Sequence, residues 1–285
     1  MLSYRHLYHA GNFADVVKHV VLTLLTRALL AKGKPFCFVD THAGAGRYDL
    51  LSAAAQKNQE FLAGISRVWA ATDAPPQVEG YLDAVAALNA EGEQAGPSAP
   101  RYYPGSPCIV RHLMRPQDRM VLAELHPSDV RSLRKEFAGD RRVAVHHLDG
   151  YQGVKAFLPP RERRGLVLVD PAFELKDEPG RFVAGLRCAH QRWPTGTLAG
   201  WYPIQAGRNS VAVEDLEASD IRKILQVGLC ILPADVPKRL NGCGMVIINP
   251  PWRLEEDLRV VLPWLWGRLA IGGQGTWSLG WLVPE

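Results

Sequence analysis

The stretch that decides the fold is Phe36-Cys37-Phe38-Val39-Asp40-Thr41-His42-Ala43-Gly44-Ala45-Gly46-Arg47. Its first half is short and nearly all apolar, the pattern of a parallel strand covered on both faces. Its second half is a glycine turn, where missing Cβ atoms let a ligand approach the backbone. Upstream, residues 13–31 read as a helix. Asn12 can cap it, Asp15 lies three residues on, and Gly33 follows its end. Downstream, buried strands are expected at 120–125, 143–148 and 166–170, with helices at 128–137 and 152–158. Strands alternating with helices build βαβ units and a parallel sheet. Further strands are expected at 198–204, 223–232, 245–249 and 276–283, and further helices at 211–219 and 254–269. One region breaks this rhythm. Residues 52–90 are Ala-rich and helical, and 91–100 read as a flexible loop. The expected architecture is therefore α/β and Rossmann-like, formed by 1–51 and 98–285. A helical subdomain, 52–97, is inserted between the first two sheet strands.

Composition sets the outer limits. The chain has 285 residues, 47% hydrophobic and 22% charged, which is ordinary for a globular protein and excludes a disordered or fibrous one. No run of about 18 uncharged apolar residues suggests a membrane helix. The start, Met1-Leu2-Ser3-Tyr4-Arg5-His6, lacks a signal-peptide pattern, so a cytoplasmic location is expected. Five cysteines without a C-x-x-C pair argue against a disulfide framework and a zinc ribbon. His6-x-x-His9 has no further ligand at usable spacing, so no metal is expected. The net charge of +4 permits a nucleic-acid partner without requiring one.

The glycine turn departs from the dinucleotide fingerprint G-x-G-x-x-G, because position 49 is Asp. A ligand without a pyrophosphate fits better, and S-adenosylmethionine is such a ligand. Asp40 is then expected to bind or orient its ammonium group, beside Gly44 and Gly46. In open α/β sheets ligands bind at the carboxyl ends of strands. Glu124 ends the second strand, where a carboxylate can accept from two ribose hydroxyls. Asp149, with Gly150 beside it, can accept from the adenine amino group. Any one of these acids is ordinarily a solvated strand end. With Asp170, three acids at successive strand tips beside a glycine turn are harder to dismiss.

Asp170-Pro171-Ala172-Phe173 closes the fourth strand and resembles the D/N-P-P-Y/F/W motif of amino-group methyltransferases. The chemistry explains the residue types. The exocyclic amine of adenine is a poor nucleophile because its lone pair is conjugated with the ring. Asp170 and the Pro171 carbonyl can accept its two hydrogens, which draws the nitrogen toward sp³ geometry. Phe173 can stack on an extruded base, a contact worth about 1–3 kcal/mol. Ala172 departs from the motif. Asn249-Pro250-Pro251-Trp252 matches it better. Its place on a late strand argues for a proline stop there, with Trp252 in the core. Pro107-Cys108 could suggest a cytosine-C5 nucleophile but does not end the fourth strand, so a buried thiol is the expectation.

Longer segments carry a family resemblance. They are Leu2-Ser3-Tyr4-Arg5-His6, His9-Ala10-Gly11-Asn12, Ala14-Asp15-Val16 with Lys18-His19, and Asp40 through Tyr48. Arg101-Tyr102-Tyr103-Pro104-Gly105-Ser106-Pro107, Glu124-Leu125-His126-Pro127-Ser128-Asp129 and Asn249-Pro250-Pro251-Trp252 follow in order. On these the chain resembles the RlmJ family of bacterial 23S ribosomal RNA adenine-N6 methyltransferases. The resemblance implies a class I S-adenosylmethionine-dependent fold with a helical insertion, and an adenine of 23S rRNA as acceptor. It implies cofactor contacts at His19, His42, Ser106, Glu124, Asp149, Gly150 and Asp170, with Asp170 the catalytic acceptor. It places Tyr4 against the base or the RNA. Without it, Tyr4, Lys18, His19 and Ser106 would read as ordinary terminus, surface and turn residues.

Basic clusters at 161–164, 131–135 and 141–142 read individually as solvated faces. Arg5, Lys18 and Arg47, nearer the turn, are the RNA-contact candidates, and a monomer is expected. Two other readings stand beside rRNA methylation: an adenine-N6 DNA methyltransferase, which D-P-A-F alone does not separate from an RNA enzyme, and a catalytically weakened RNA-binding factor, favoured by Ala172.

Overall fold

The computed structural model describes residues 4–90, 99–206 and 210–285, the side chains of 210–212 excepted. Most of the loop expected at 91–100 lies outside them. The chain opens on helix α1 (Phe13–Leu30), which Asn12 caps by accepting from the Asp15 amide at 2.9 Å. Its residues are buried almost without break from Phe13 to Thr26. Strands β1 (Cys37–Asp40), β4 (Arg119–Glu124), β5 (Val143–His147), β6 (Gly165–Val169) and β7 (Thr197–Ile204) then run parallel in one sheet. Strands β8 (Ile224–Cys230), β9 (Gly242–Ile248) and β10 (Thr276–Val283) complete it, in the order β10-β8-β9-β7-β6-β1-β4-β5. The core parallel order is the doubly wound one, with β1 central and the strand order reversing between β1 and β6. β9 runs antiparallel to both β7 and β8. That reversal puts the end of β9 at the opposite edge of the sheet from the ends of β1 and β6.

Helices α6 (Pro127–Glu136) and α7 (Gly150–Phe157) follow β4 and β5, while α9 (Ser210–Glu217) and α10 (Leu254–Leu269) lie later in the chain. Three further features are absent from the sequence reading. Arg47–Asp49 (β2) and Tyr102–Pro104 (β3) pair as a small antiparallel ladder, and α5 (Ser106–Leu113) and α8 (Glu178–Arg192) are helices. The ladder closes the base of segment 52–97. That segment holds α2 (Ala53–Asn58), a 3₁₀ turn at Glu60–Ala63, α3 (Ile65–Trp69) and α4 (Pro76–Asn89). Phe61, Ile65, Val68, Val78, Tyr81 and Val85 belong to the same buried cluster as α1 and α10. Trp252, expected in the core, is 87% exposed. Pro250 and Pro251 halt β9 before the chain can turn inward, and Arg253 takes a left-handed conformation there (φ +73°).

Candidate active site

A cavity of about 720 Å³ opens at the carboxyl ends of the parallel strands. His19, His42, Gly44, Ser106, Glu124, Asp149, Gly150, Asp170, Pro171 and Phe173 all line it, as do Tyr4 and Lys18. Gly44 turns the chain at φ +63°, and a Cβ there would collide with the Tyr48 hydroxyl. That hydroxyl accepts from the Ala45 amide at 3.1 Å, while Glu124 accepts from the Gly44 amide at 2.8 Å and from the His126 amide at 2.6 Å. The turn is thus held from two sides. Burial pushes the Glu124 carboxyl up, and the backbone amides pull it partly back.

Other expected site residues stand behind the wall. Asp40 is wholly buried and away from the cavity. It accepts from Ser106 Oγ at 2.6 Å and from the His42 amide at 3.1 Å, so it braces two wall residues. Gly46 packs on Leu133 and Phe137, away from the cavity. Arg47 ion-pairs with Glu136 at 3.2 Å, and Arg5 with Asp129 at 3.3 Å. Asp149 caps α7 through the Tyr151 and Gln152 amides and pairs with Arg181 at 3.0 Å.

A second cluster of the lining is built around Asp170. Lys18, on α1, is buried and reaches Asp170 Oδ2 at 2.6 Å and Asp15 Oδ1 at 2.9 Å. Burial alone would lower its pKa, but the Asp15 and Asp170 carboxylates overcome burial and hold it well above the usual lysine range. The second Asp15 oxygen meets His6 Nε2 at 2.9 Å, and His6 Nδ1 meets the Tyr4 hydroxyl at 2.9 Å. Phe173 is left-handed (φ +51°), with its ring 5.6 Å from Phe182 and 6.1 Å from Trp201. Asn249, by contrast, donates to the Pro194 and Gly196 carbonyls at the far edge of the sheet and lines no part of the cavity.

Two histidines are held neutral. Burial takes His42 down to about 4, against the pull of Asp170 and Asp149. Burial and the Lys18 ammonium take His19 well below its usual range. Nδ1 of His19 lies 2.8 Å from the Tyr103 hydroxyl, and its buried Nε2 has no partner among the described residues. Sequence reasoning missed Asp15, His6, Tyr48, Arg181 and the wall residues Trp201, Tyr202 and Pro203. The last three follow a signal already in use, since they sit toward the carboxyl end of a parallel strand.

The sheet order, the glycine turn braced by the β4 carboxylate, and the acid-proline end of β6 define a class I S-adenosylmethionine-dependent methyltransferase. Residues 33–283 match the family described as "Ribosomal RNA large subunit methyltransferase D, RlmJ". The chain belongs to that family. It is 47% identical to the ribosomal RNA large subunit methyltransferase J of Escherichia coli K12 and 45% identical to that of Haemophilus influenzae, each over the full length of both chains. A crystal structure of a Legionella pneumophila protein is similar at a TM-score of 0.87 and 33% identity, covering 96% of this chain and 98% of that one.

Proposed function

We propose that this chain methylates N6 of an unstacked adenine in 23S rRNA, with Asp170 as the catalytic acceptor. The observation that carries the reading is the Lys18–Asp170 pair at 2.6 Å, on the wall shared by Pro171 and Phe173. Lys18 fixes one carboxylate oxygen, and Asp170 makes no other described hydrogen bond. The other oxygen can therefore accept one N6 hydrogen while the Pro171 carbonyl accepts the second. Phe173 offers a ring face against which the base can stack. Catalysis then rests on positioning and fixed electrostatics, with no covalent enzyme intermediate.

The wall suits S-adenosylmethionine, which supplies an electrophilic sulfonium methyl when bound. The unpartnered His19 Nε2 is a buried polar atom in want of a hydrogen-bond partner. With the Tyr103 hydroxyl donating to Nδ1, the neutral ring carries its proton on Nε2 and can donate to a carboxylate. Glu124 accepts from the Gly44 and His126 amides on different oxygens, and the carboxylate keeps acceptor capacity for a ribose hydroxyl. Asp149 and Gly150 are assigned to the adenine end, and Ser106 and His42 to the middle of the ligand. Asp40 acts through those last two.

The test is methyl incorporation into transcribed 23S rRNA, with mass mapping of methyladenine and duplex DNA as comparison. Asp170→Ala is expected to lose at least 100-fold in turnover, and Asn249→Ala to stay near wild type. Lys18→Met is expected to lose turnover while cofactor affinity persists. Retained turnover in Asp170→Ala overturns the assignment.

A further inference from the structure

The cavity poses an electrostatic problem for a polyanionic substrate. Among the described residues, eight carboxylates line it, against three cations, Lys18, Lys176 and Arg181. Phosphates brought to such a mouth are repelled unless free cations stand at its rim. The cations expected to serve are already committed. Lys18 is held by Asp15 and Asp170, Arg5 by Asp129, Arg47 by Glu136 and Arg181 by Asp149.

The loop from β8 to β9 answers the problem. β8 and β7 both run antiparallel to β9, so this loop emerges at the same edge as the ends of β6 and β7. Buried Asn241 shapes it by donating to the carbonyls of Ala234 at 3.0 Å and Val236 at 2.7 Å, and its amide bonds Ile204, the last residue of β7, at 2.9 Å. Leu240 lines the cavity beside Trp201, Tyr202 and Pro203. The two residues before it, Lys238 and Arg239, are exposed, and neither has an ion-pair partner among the described residues. Lys238 is left-handed (φ +60°), which is uncommon for a residue other than glycine. The single acid of the loop, Asp235, is also exposed. The loop, anchored through Asn241, therefore carries two uncommitted cations next to an apolar and aromatic wall.

We propose that Lys238 and Arg239 grip backbone phosphates of the RNA strand beside the target adenine, and so place that base over Asp170. This rests on the reading of the substrate as rRNA. The arrangement separates labour: the aromatic wall and Asp170 receive the base, and the loop holds the chain that carries it.

The experiment measures binding of a transcribed 23S rRNA fragment by filter retention, with S-adenosylhomocysteine present, over a range of salt. The variants are Lys238→Gln/Arg239→Gln, its Glu/Glu counterpart, and Lys34→Gln/Arg161→Gln at the opposite edge of the sheet. The loop Gln pair is expected to lose about tenfold in RNA affinity at low salt. Its log–log salt slope should flatten by about 1.4, two phosphates at about 0.7 each on a single strand. The Glu pair should lose more, with the cofactor dissociation constant unchanged in both, and the distant pair should stay within about twofold. An unchanged slope and affinity in the loop variants overturns the proposal, and so does an equal loss from the distant pair. Because binding is read without turnover, a wild-type chain that methylates no RNA refutes the substrate reading while this measurement still judges the loop.

Discussion

Asp40 and Lys18 show how far a residue's role depends on what lies behind it. Both stand near Asp170, and the sequence reading assigned Asp40 to the ligand and Lys18 to RNA. Asp40's place at a strand tip beside the glycine turn made the first plausible, and the family resemblance made the second. Neither source shows how a side chain is engaged: which side of a wall it falls on, or whether its charge is already matched. One signal was legible: Asp15 and Lys18 are spaced i, i+3, which brings oppositely charged side chains together on a helix. Asp40 instead supports a stability prediction. Burial raises its carboxyl to about 7, against the hydrogen bonds from Ser106 and His42. A raised carboxyl keeps a proton in the folded chain that the unfolded chain has released. Its contribution to stability therefore falls as pH climbs from about 4 to about 7. His42 works the other way: its depressed pKa makes the folded chain gain stability as pH rises from about 4 to 6.5. The two slopes offset each other in the wild type. Asp40→Asn removes only the first. Its stability relative to wild type should then increase between pH 5 and pH 7 by about 1–2 kcal/mol, read from urea midpoints at each pH. A difference that does not change with pH would show that Asp40 is not titrating in this range.

At the scale of elements, the turn after β6 holds its shape without the second proline of the motif. Ala172 leaves Phe173 in the left-handed region, which costs a bulky residue about 1–3 kcal/mol, and the ring is kept in place by Phe182 and Trp201. Replacing Phe173 by Gly relieves the backbone, and replacing it by Ala does not. Phe173→Gly should therefore be more stable than Phe173→Ala by about 1 kcal/mol in denaturant titration. Both should fall well below wild type in methyl transfer, because both lack the ring. An Ala variant as stable as the Gly variant would mean that the strain is absent. Strand positions were readable because β1 and β6 are buried on both faces and, with the partly buried β4, leave apolar runs. The Arg47–Asp49 and Tyr102–Pro104 ladder was not, since three residues cannot display a period and the partners lie on either side of the insertion. Helix α5 was hidden by the Gly105-Ser106-Pro107 signature of a turn, although proline is well placed in a first helical turn. For Asn249-Pro250-Pro251-Trp252, local pattern alone favoured a motif that lines no part of the cavity. Its late place in the chain already argued against it, and the antiparallel run of β9 puts it at the edge opposite the cavity.

Across the whole molecule, segment 52–97 is an interruption in sequence, and its described residues, 52–90, add side chains to the core. Tyr81, on α4, is fully buried, and its hydroxyl lies 3.2 Å from that of Tyr103. Tyr103 meets His19, so an unbroken chain of contacts leads from the insertion to the cavity wall. Phe61 and Ile65 pack against Gly11, and Gly64 approaches so closely that a Cβ there would strike the Gly11 carbonyl. An appendage evolved only to widen an RNA footprint could be removed at little thermodynamic cost. This segment could not, because its loss uncovers α1 along the face it shares with α4 and leaves large apolar side chains in water, each worth about 1.5–3 kcal/mol. Against a total stability of about 5–15 kcal/mol, a few such residues are decisive. The intact chain is expected to melt in one cooperative transition, and S-adenosylhomocysteine should shift it upward as a ligand of the folded state does. A chain with 52–97 replaced by a short linker should show neither the transition nor the shift in calorimetry. Tyr81→Phe separates the two roles: it should cost about 1 kcal/mol in stability while weakening cofactor affinity through Tyr103 and His19. A shortened chain that still melts cooperatively and binds S-adenosylhomocysteine would instead make the segment an independent domain.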